Sequence, residues 1–264
     1  MYQTSYKRAG SVDEAVKMMG EAEGGKFVAG GQTLIPTMKQ RLAAPDALID
    51  LRHIGEMKGI EVSGKSVRIG AGTIHHDVAA SAELRAVCPG ICDLAAHIGD
   101  PHVRHMGTLG GSIANNDPAA DYPAAMLALD ATVHTSKRDI AAGDFFVGMF
   151  ETALEEDEIV TAVSFTAPDA CAYAKFPNPA SRYAMAGVFV AKGSGGVRVA
   201  VTGAGNDGVF RWKEAEAALG ANFSPDALDG LSVDPGDMME DLHGTAEYRA
   251  NLVKVMAKRA VAAC

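Results

Sequence analysis

The stretch GTLGGSIANNDPAADYP, residues 107–123, gathers three glycines, a threonine, a serine, two asparagines and two aspartates into seventeen positions. Its glycines free the backbone to turn tightly, and its short polar side chains hydrogen-bond without filling space. By composition it reads as too polar and too glycine-rich for core. It nevertheless lies between two segments that do read as core, AELRAVCPGICDLAAHIG (82–99) and PAAMLALDATVHTS (123–136). Polar groups on a pliable backbone in mid-chain are equipment for holding something.

A second stretch of the same kind, AGGQTL (29–34), follows the apolar run KFV. Across glycines, consecutive N–H groups can point one way and form an anion-binding nest, and a following helix N-terminus adds partial positive charge. Thr33, Thr108 and Ser112 offer hydroxyl donors without bulk. Asn115, Asp117 and Asp121 suit ribose hydroxyls, because carboxylates and amide oxygens accept what sugars donate. Together the two stretches would serve a nucleotide diphosphate. Both also suit plain tight turns, and composition alone leaves that choice open.

Working outward, SVDEAVKMMGEA (11–22) predicts a helix with Ser11 as N-cap and acidic Asp13 and Glu14 in its first turn. KFVAGG and DALIDL read as strands on either side of a helical TLIPTMKQRL, so residues 1–55 form a small α/β unit. SVRIGAGTIHHDVAAS predicts a strand, a turn and a helix start, and EEDEIVTAVSFTAP a strand ending at Pro168. Beyond it come strands joined by glycine-rich turns, a helix from about Trp212 to Leu219 and a patterned C-terminal helix over 245–263. A domain boundary is expected near Pro168.

The 264 residues are 48% hydrophobic and 22% charged, which marks an ordinary globular chain long enough for a large core. A net charge of −9, with scattered acids, argues against nucleic acid or an anionic membrane as partner. No apolar run nears the ~20 residues of a membrane span, and MYQTSYKRAG has no secretory pattern, so a cytoplasmic location is expected. Four cysteines, unevenly spaced, are too few for a disulfide framework.

The arrangement is more specific than its parts. AGGQTLIPTMKQRLAAPDALIDL, IGAGTIHHDVAAS, IGDPHVRHMGTLGGSIANNDPAADYPAAMLALDA, GDFFVGMFETALEEDEIV and AYAKFPNPASRYAMAGVFVA occur in an order that resembles the FAD-binding medium subunits of the molybdenum hydroxylases. That family includes aerobic carbon monoxide dehydrogenase and xanthine dehydrogenase. The resemblance implies an α+β fold: a two-lobed FAD-binding domain of the vanillyl-alcohol-oxidase (PCMH) type, then a smaller α/β C-terminal domain. The first would span 1–168, with sub-lobes of about 1–55 and 56–168, and the second 169–264.

It also implies one non-covalent FAD. Ala29, Gly30, Gly31, Gln32, Thr33 and Leu34 would lie on its pyrophosphate and adjoining sugar chain, with Thr108, Gly110, Gly111 and Ser112 as the second wall. Asn115, Asp117 and Asp121 would follow along the dinucleotide. Ile98 and Val160 match apolar contacts beside the ring system, and Lys175 matches a basic residue near the isoalloxazine, where a cation would stabilise the anionic reduced flavin. Gln32 stands where many relatives have His, and Asn116 where many have Ala. The implied partners are a molybdopterin large subunit and a small subunit with two 2Fe–2S clusters, assembled as a dimer of heterotrimers. This chain would be their electron-transfer subunit, with no acid–base catalyst and no metal site of its own.

Other motifs carry less. GAGNDG (203–208) satisfies G-x-G-x-x-G, but no second parallel strand ending in an acid follows, so it reads as a hairpin turn. Cys88, Cys92, His97, His102 and His105 lack the spacing of a closed zinc site. His75, His76 and Asp77 are adjacent at a helix start and point apart, so they form no ligand cluster. Two rival functions remain: a stand-alone flavin oxidoreductase acting directly on a small substrate, and a nucleotide-binding module with no redox role.

Overall fold

A computed structural model describes all 264 residues. The chain begins β1 (Ser5–Arg8), α1 (Val12–Gly20), β2 (Gly25–Val28), α2 (Leu34–Lys39), β3 (Ala47–Asp50). The three strands make a parallel sheet in the order β1-β3-β2, with Phe27 opposite Ile49. Ser11 caps α1 by accepting from the Glu14 N–H, which satisfies one of the donors a helix leaves free at its start.

Next come β4 (Ile60–Ser63), β5 (Ser66–Gly70), α3 (His75–Ala80), α4 (Ala82–Val87), α5 (Pro89–Ala96), α6 (Pro101–Arg104), α7 (Leu109–Asn115) and α8 (Tyr122–Ala128). They are followed by β6 (Thr132–Thr135), β7 (Asp139–Ala141), α9 (Ala142–Phe145), β8 (Phe146–Gly148), β9 (Glu151–Thr152) and β10 (Val160–Thr166). Five of these strands form an antiparallel sheet in the order β4-β5-β10-β6-β7. Pro89 is tolerated as the first residue of α5, because the N–H it lacks would have no helical partner there. Cys88 and Cys92 are buried in this core, where unreacted thiols act as small hydrophobes.

The last part is β11 (Ala170–Pro177), β12 (Ala184–Gly193), β13 (Gly196–Thr202), β14 (Phe210–Arg211), α10 (Lys213–Ala221) and α11 (Ala246–Ala263). Its four strands form an antiparallel meander. This corrects the expectation of a smaller α/β domain. Tight turns at Gly193–Gly196 and 203–209 leave no room for crossover helices, so neighbouring strands must run antiparallel and the helices gather on one face. Gly203 and Gly208 hold φ of 81° and 96° in the turn that carries the G-x-G-x-x-G text.

Strand β12 is buried on both sides. Phe189 and Ala191 face the core shared with α5 and the five-stranded sheet, while Val188 and Val190 face α11 and α10. Its near-continuous apolar run, MAGVFVA, is what a two-faced strand requires. No helix is long and apolar enough to cross a membrane.

Candidate functional site

The first wall is the loop after β2. Within Ala29, Gly30, Gly31, Gln32, Thr33 and Leu34 no backbone N–H donates to any group of the chain, leaving six consecutive donors free. Gly31 makes this possible by taking φ of 69°, a left-handed turn that side-chain-bearing residues rarely adopt. Gly30 serves a different end. A Cβ there would lie 2.2 Å from the Met106 carbonyl oxygen and 2.6 Å from the Gly107 Cα, so only glycine lets the two polar stretches stack.

The second wall is α7 and its cap. Thr108 Oγ1 accepts from Gly111 N–H at 3.1 Å, Leu109 N–H donates to the Thr73 carbonyl at 3.1 Å, and Gly110 N–H to the Ala71 carbonyl at 2.8 Å. The backbone nest expected here is therefore already used in holding the helix to the β5–α3 turn. What this wall offers instead are side chains: the hydroxyl hydrogen of Thr108, the Ser112 hydroxyl and the Asn115 amide, the last two with no partner in the chain. A Cβ on Gly110 would strike Ala71 at 2.5 Å, whereas one on Gly111 would meet only Thr108 Oγ1, at 2.9 Å.

The stretch 107–123 is also less exposed than its composition predicts. Thr108, Leu109, Gly110, Ile113, Asn116, Asp121 and Tyr122 are buried. The buried polar side chains of Thr108, Asn116 and Asp121 are tolerated inside because they are paired, whereas the Tyr122 hydroxyl has no partner. Asn116, left-handed at φ 41°, ends α7 and donates from Nδ2 to the carbonyls of Gly148 (2.8 Å) and Glu151 (2.9 Å).

Between the walls lies a cavity of about 670 Å³, within the range of small-molecule and cofactor sites. It is lined by Ala29 through Leu34, Ile98, Thr108, Gly110, Gly111, Ser112, Asn115, Asp117, Asp121 and Val160. Lys175 is not among the lining residues. It stands on β11, almost fully buried, with Nζ 2.9 Å from Asp121 Oδ1, 3.0 Å from Oδ2 and 3.1 Å from the His97 carbonyl. Tyr173 Oη donates to Asp121 Oδ1 at 2.5 Å. Asp121 thus lines the cavity already bonded to Tyr173 and Lys175, and its carboxylate offsets the charge of that lysine. Asp117 Oδ1 accepts from the Ala119 N–H at 2.9 Å.

Among the lining residues that sequence reasoning did not assign are His75, Tyr183 and Lys58. His75 is buried at the start of α3 with Nδ1 unpartnered. Burial of the ring, aided by the charge of Arg104, holds its pKa down to about 4 and keeps it neutral. Tyr183 reaches the cavity from the β11–β12 turn, and Lys58 from the loop before β4. Only the adjacent-histidine pattern hinted at His75, and adjacency cannot tell which of two rings turns inward.

The site fits a dinucleotide cofactor. A loop with free backbone donors and no carboxylate lines one side, hydroxyl and amide side chains line the other, and Gly30 lets the two stretches meet where a Cβ would clash. Residues 2–168 match the family model described as the FAD binding domain in molybdopterin dehydrogenase. The chain is 33% identical to the nicotine 6-hydroxylase medium subunit of Paenarthrobacter nicotinovorans, over 97% of this chain and 95% of that one. It is 35% identical to the carbon monoxide dehydrogenase medium chain of Afipia carboxidovorans, over 97% and 94%. In structure it superposes on a chain of the carbon monoxide dehydrogenase of Hydrogenophaga pseudoflava with a TM-score of 0.89 at 34% identity, covering 99% of this chain and 96% of the other.

Proposed function

Because this chain belongs to the family of FAD-binding subunits of the molybdopterin dehydrogenases, we propose that it is the electron-transfer subunit of a molybdenum hydroxylase organised like aerobic carbon monoxide dehydrogenase. It is an oxidoreductase subunit and its cofactor is FAD. A large molybdopterin chain would carry out the substrate chemistry. A small chain with two 2Fe–2S clusters would pass electrons to this subunit, which delivers them to an external acceptor, the whole forming a dimer of heterotrimers. Bound FAD supplies the site with a centre that takes up and gives up electrons.

The chain's own residues bind and orient. Ala29 to Leu34 hold the pyrophosphate on their free N–H groups. The hydroxyls of Thr108 and Ser112 and the amide of Asn115 meet the dinucleotide from the other wall, with Asp117 beyond them. Gly110 and Gly111 keep that wall thin, and Ile98 and Val160 give the rings apolar neighbours. Asp121 and Lys175 act as a neutral buried pair that fixes the floor. In this reading residues 1–168 form the PCMH-type domain, with sub-lobes of about 1–55 and 56–168, and residues 169–264 the C-terminal domain.

The proposal rests on the loop of six consecutive unpaired N–H groups that lines the cavity, a polar surface suited to an anionic or strongly accepting ligand. The test is the flavin content of the purified full chain. One FAD per chain, released intact by denaturation and displaced by ADP, is expected. A folded, monodisperse chain without flavin and without affinity for it would refute the proposal in favour of a non-redox module.

A further inference from the structure

The hairpin formed by β8 and β9 exposes three large apolar side chains in succession: Val147 at 56%, Met149 at 49% and Phe150 at 61%. Its base is anchored, with Phe145 fully buried and packed edge-on against Phe146 at 5.1 Å. Its tip is held in a conformation that aromatic residues avoid, φ 57° at Phe150. Three bonds impose it: the Phe150 N–H donates to the Asn116 carbonyl at 2.9 Å, and Asn116 Nδ2 donates to the carbonyls of Gly148 and Glu151. These bonds fasten the exposed tip to the end of the helix that lines the cavity.

The surroundings are acidic. Asp144 and Glu151 flank the tip, and Glu155, Glu156 and Asp157 follow. Lys137 pairs with Glu155 and Asp157, while Asp144, Glu151 and Glu156 have no ion-pair partner. A second copy presenting the same face would set two acidic rims against each other.

We propose that this hairpin is a docking knob for a partner polypeptide with an apolar socket rimmed by lysine and arginine. The proposal rests on the reading of this chain as one subunit among several. Exposed, clustered and preorganised apolar side chains with a charged rim are the anatomy of an interface centre. The knob places its partner beside the cavity, because Asn116 ties it to α7.

The test combines the full chain, loaded with FAD, with the molybdopterin and two-cluster chains proposed above, and measures their assembly by sedimentation. Phe150→Asn removes the aromatic but keeps a residue at ease in the left-handed region. Glu151→Lys reverses part of the rim. Each is expected to weaken assembly about tenfold or more while leaving flavin content and thermal stability unchanged, and backbone amides 145–152 should gain protection from hydrogen exchange in the complex. A wild-type complex that leaves these amides unprotected and tolerates both variants would overturn the knob but not the subunit reading. Failure of the wild-type chain to assemble would overturn both. A homodimer dispersed by Phe150→Asn would assign the surface to a second copy and overturn the proposed partner.

Discussion

His75 carries an unmet demand. Its Nδ1 and the neighbouring Tyr122 hydroxyl are both buried without a partner, with the two rings 5.4 Å apart at the cavity wall. Burying a polar nitrogen is tolerable for a neutral imidazole and costly for a charged one, which is why its pKa falls from 6.5 to about 4. The unfolded chain therefore takes up the proton first, and stability falls as pH drops from 6.5 towards 4, by about 3 kcal/mol in total. Below that window other groups take over. For Asp50 burial alone would raise the pKa, but hydrogen bonds from Arg52 and Tyr6 outweigh it. For Glu158 the same contest is decided by Arg138 and Thr135. Both carboxyls end at about 2, so the stability they lend above pH 4 is lost as pH falls towards 2. Thermal unfolding followed from pH 7 to pH 4 should show the first loss in the wild-type chain and a much flatter profile in His75→Gln. An equally steep profile in the variant would remove His75 from this account. Sequence shows two adjacent histidines; only the packing of α3 on Tyr122 decides that one is sealed and the other exposed.

At the scale of the element, the two glycine stretches were legible as a pair of facing walls, but their division of labour was not. Helix α7 spends its N-terminal N–H groups on Ala71 and Thr73, partners far off in sequence that no local pattern announces. The loop over 29–34 keeps its N–H groups free because β2 ends at Val28 and α2 does not start until Leu34. The glycines consequently differ in what they protect. Gly30→Ala would drive a Cβ into the Met106 carbonyl, and it should cost about 1–3 kcal/mol of stability, the range of overpacking. Gly111→Val meets only the Thr108 hydroxyl, so the chain should fold while its branched side chain enters the space between the walls and abolishes FAD binding. Circular dichroism melting with flavin absorbance separates the two. Stoichiometric flavin in a folded Gly111→Val chain would contradict the placement of the cofactor along α7.

For the whole molecule, the strand ending near Pro168 could be read from sequence, whereas the coupling across it could not. The C-terminal sheet grips the cavity's floor: Thr202 Oγ1 donates to the Ala120 carbonyl at 2.6 Å, Gly203 N–H to the Pro118 carbonyl at 2.8 Å, and Lys175 pairs with Asp121. Such contacts join residues more than 50 positions apart, and periodicity, which sees only neighbours, is blind to them. They also bear on what the chain does alone. Direct oxidation of a substrate would require an acid or base free to move a proton at the flavin. Asp121 is bound to Lys175 and Tyr173, Glu158 to Arg138 and Thr135, and His75 is neutral and buried, so three of the lining groups are already engaged or sealed. As one subunit among several, the purified chain should carry FAD but fail to oxidise carbon monoxide, aldehydes or purines. Adding the molybdopterin and two-cluster chains should make the flavin's visible absorption bleach when the substrate of the complex is supplied. Rapid turnover of any of these compounds by this chain alone, free of molybdenum and iron, would show that it acts as a stand-alone flavin oxidase, with a proton-transfer group outside the network of paired residues that surrounds the cavity.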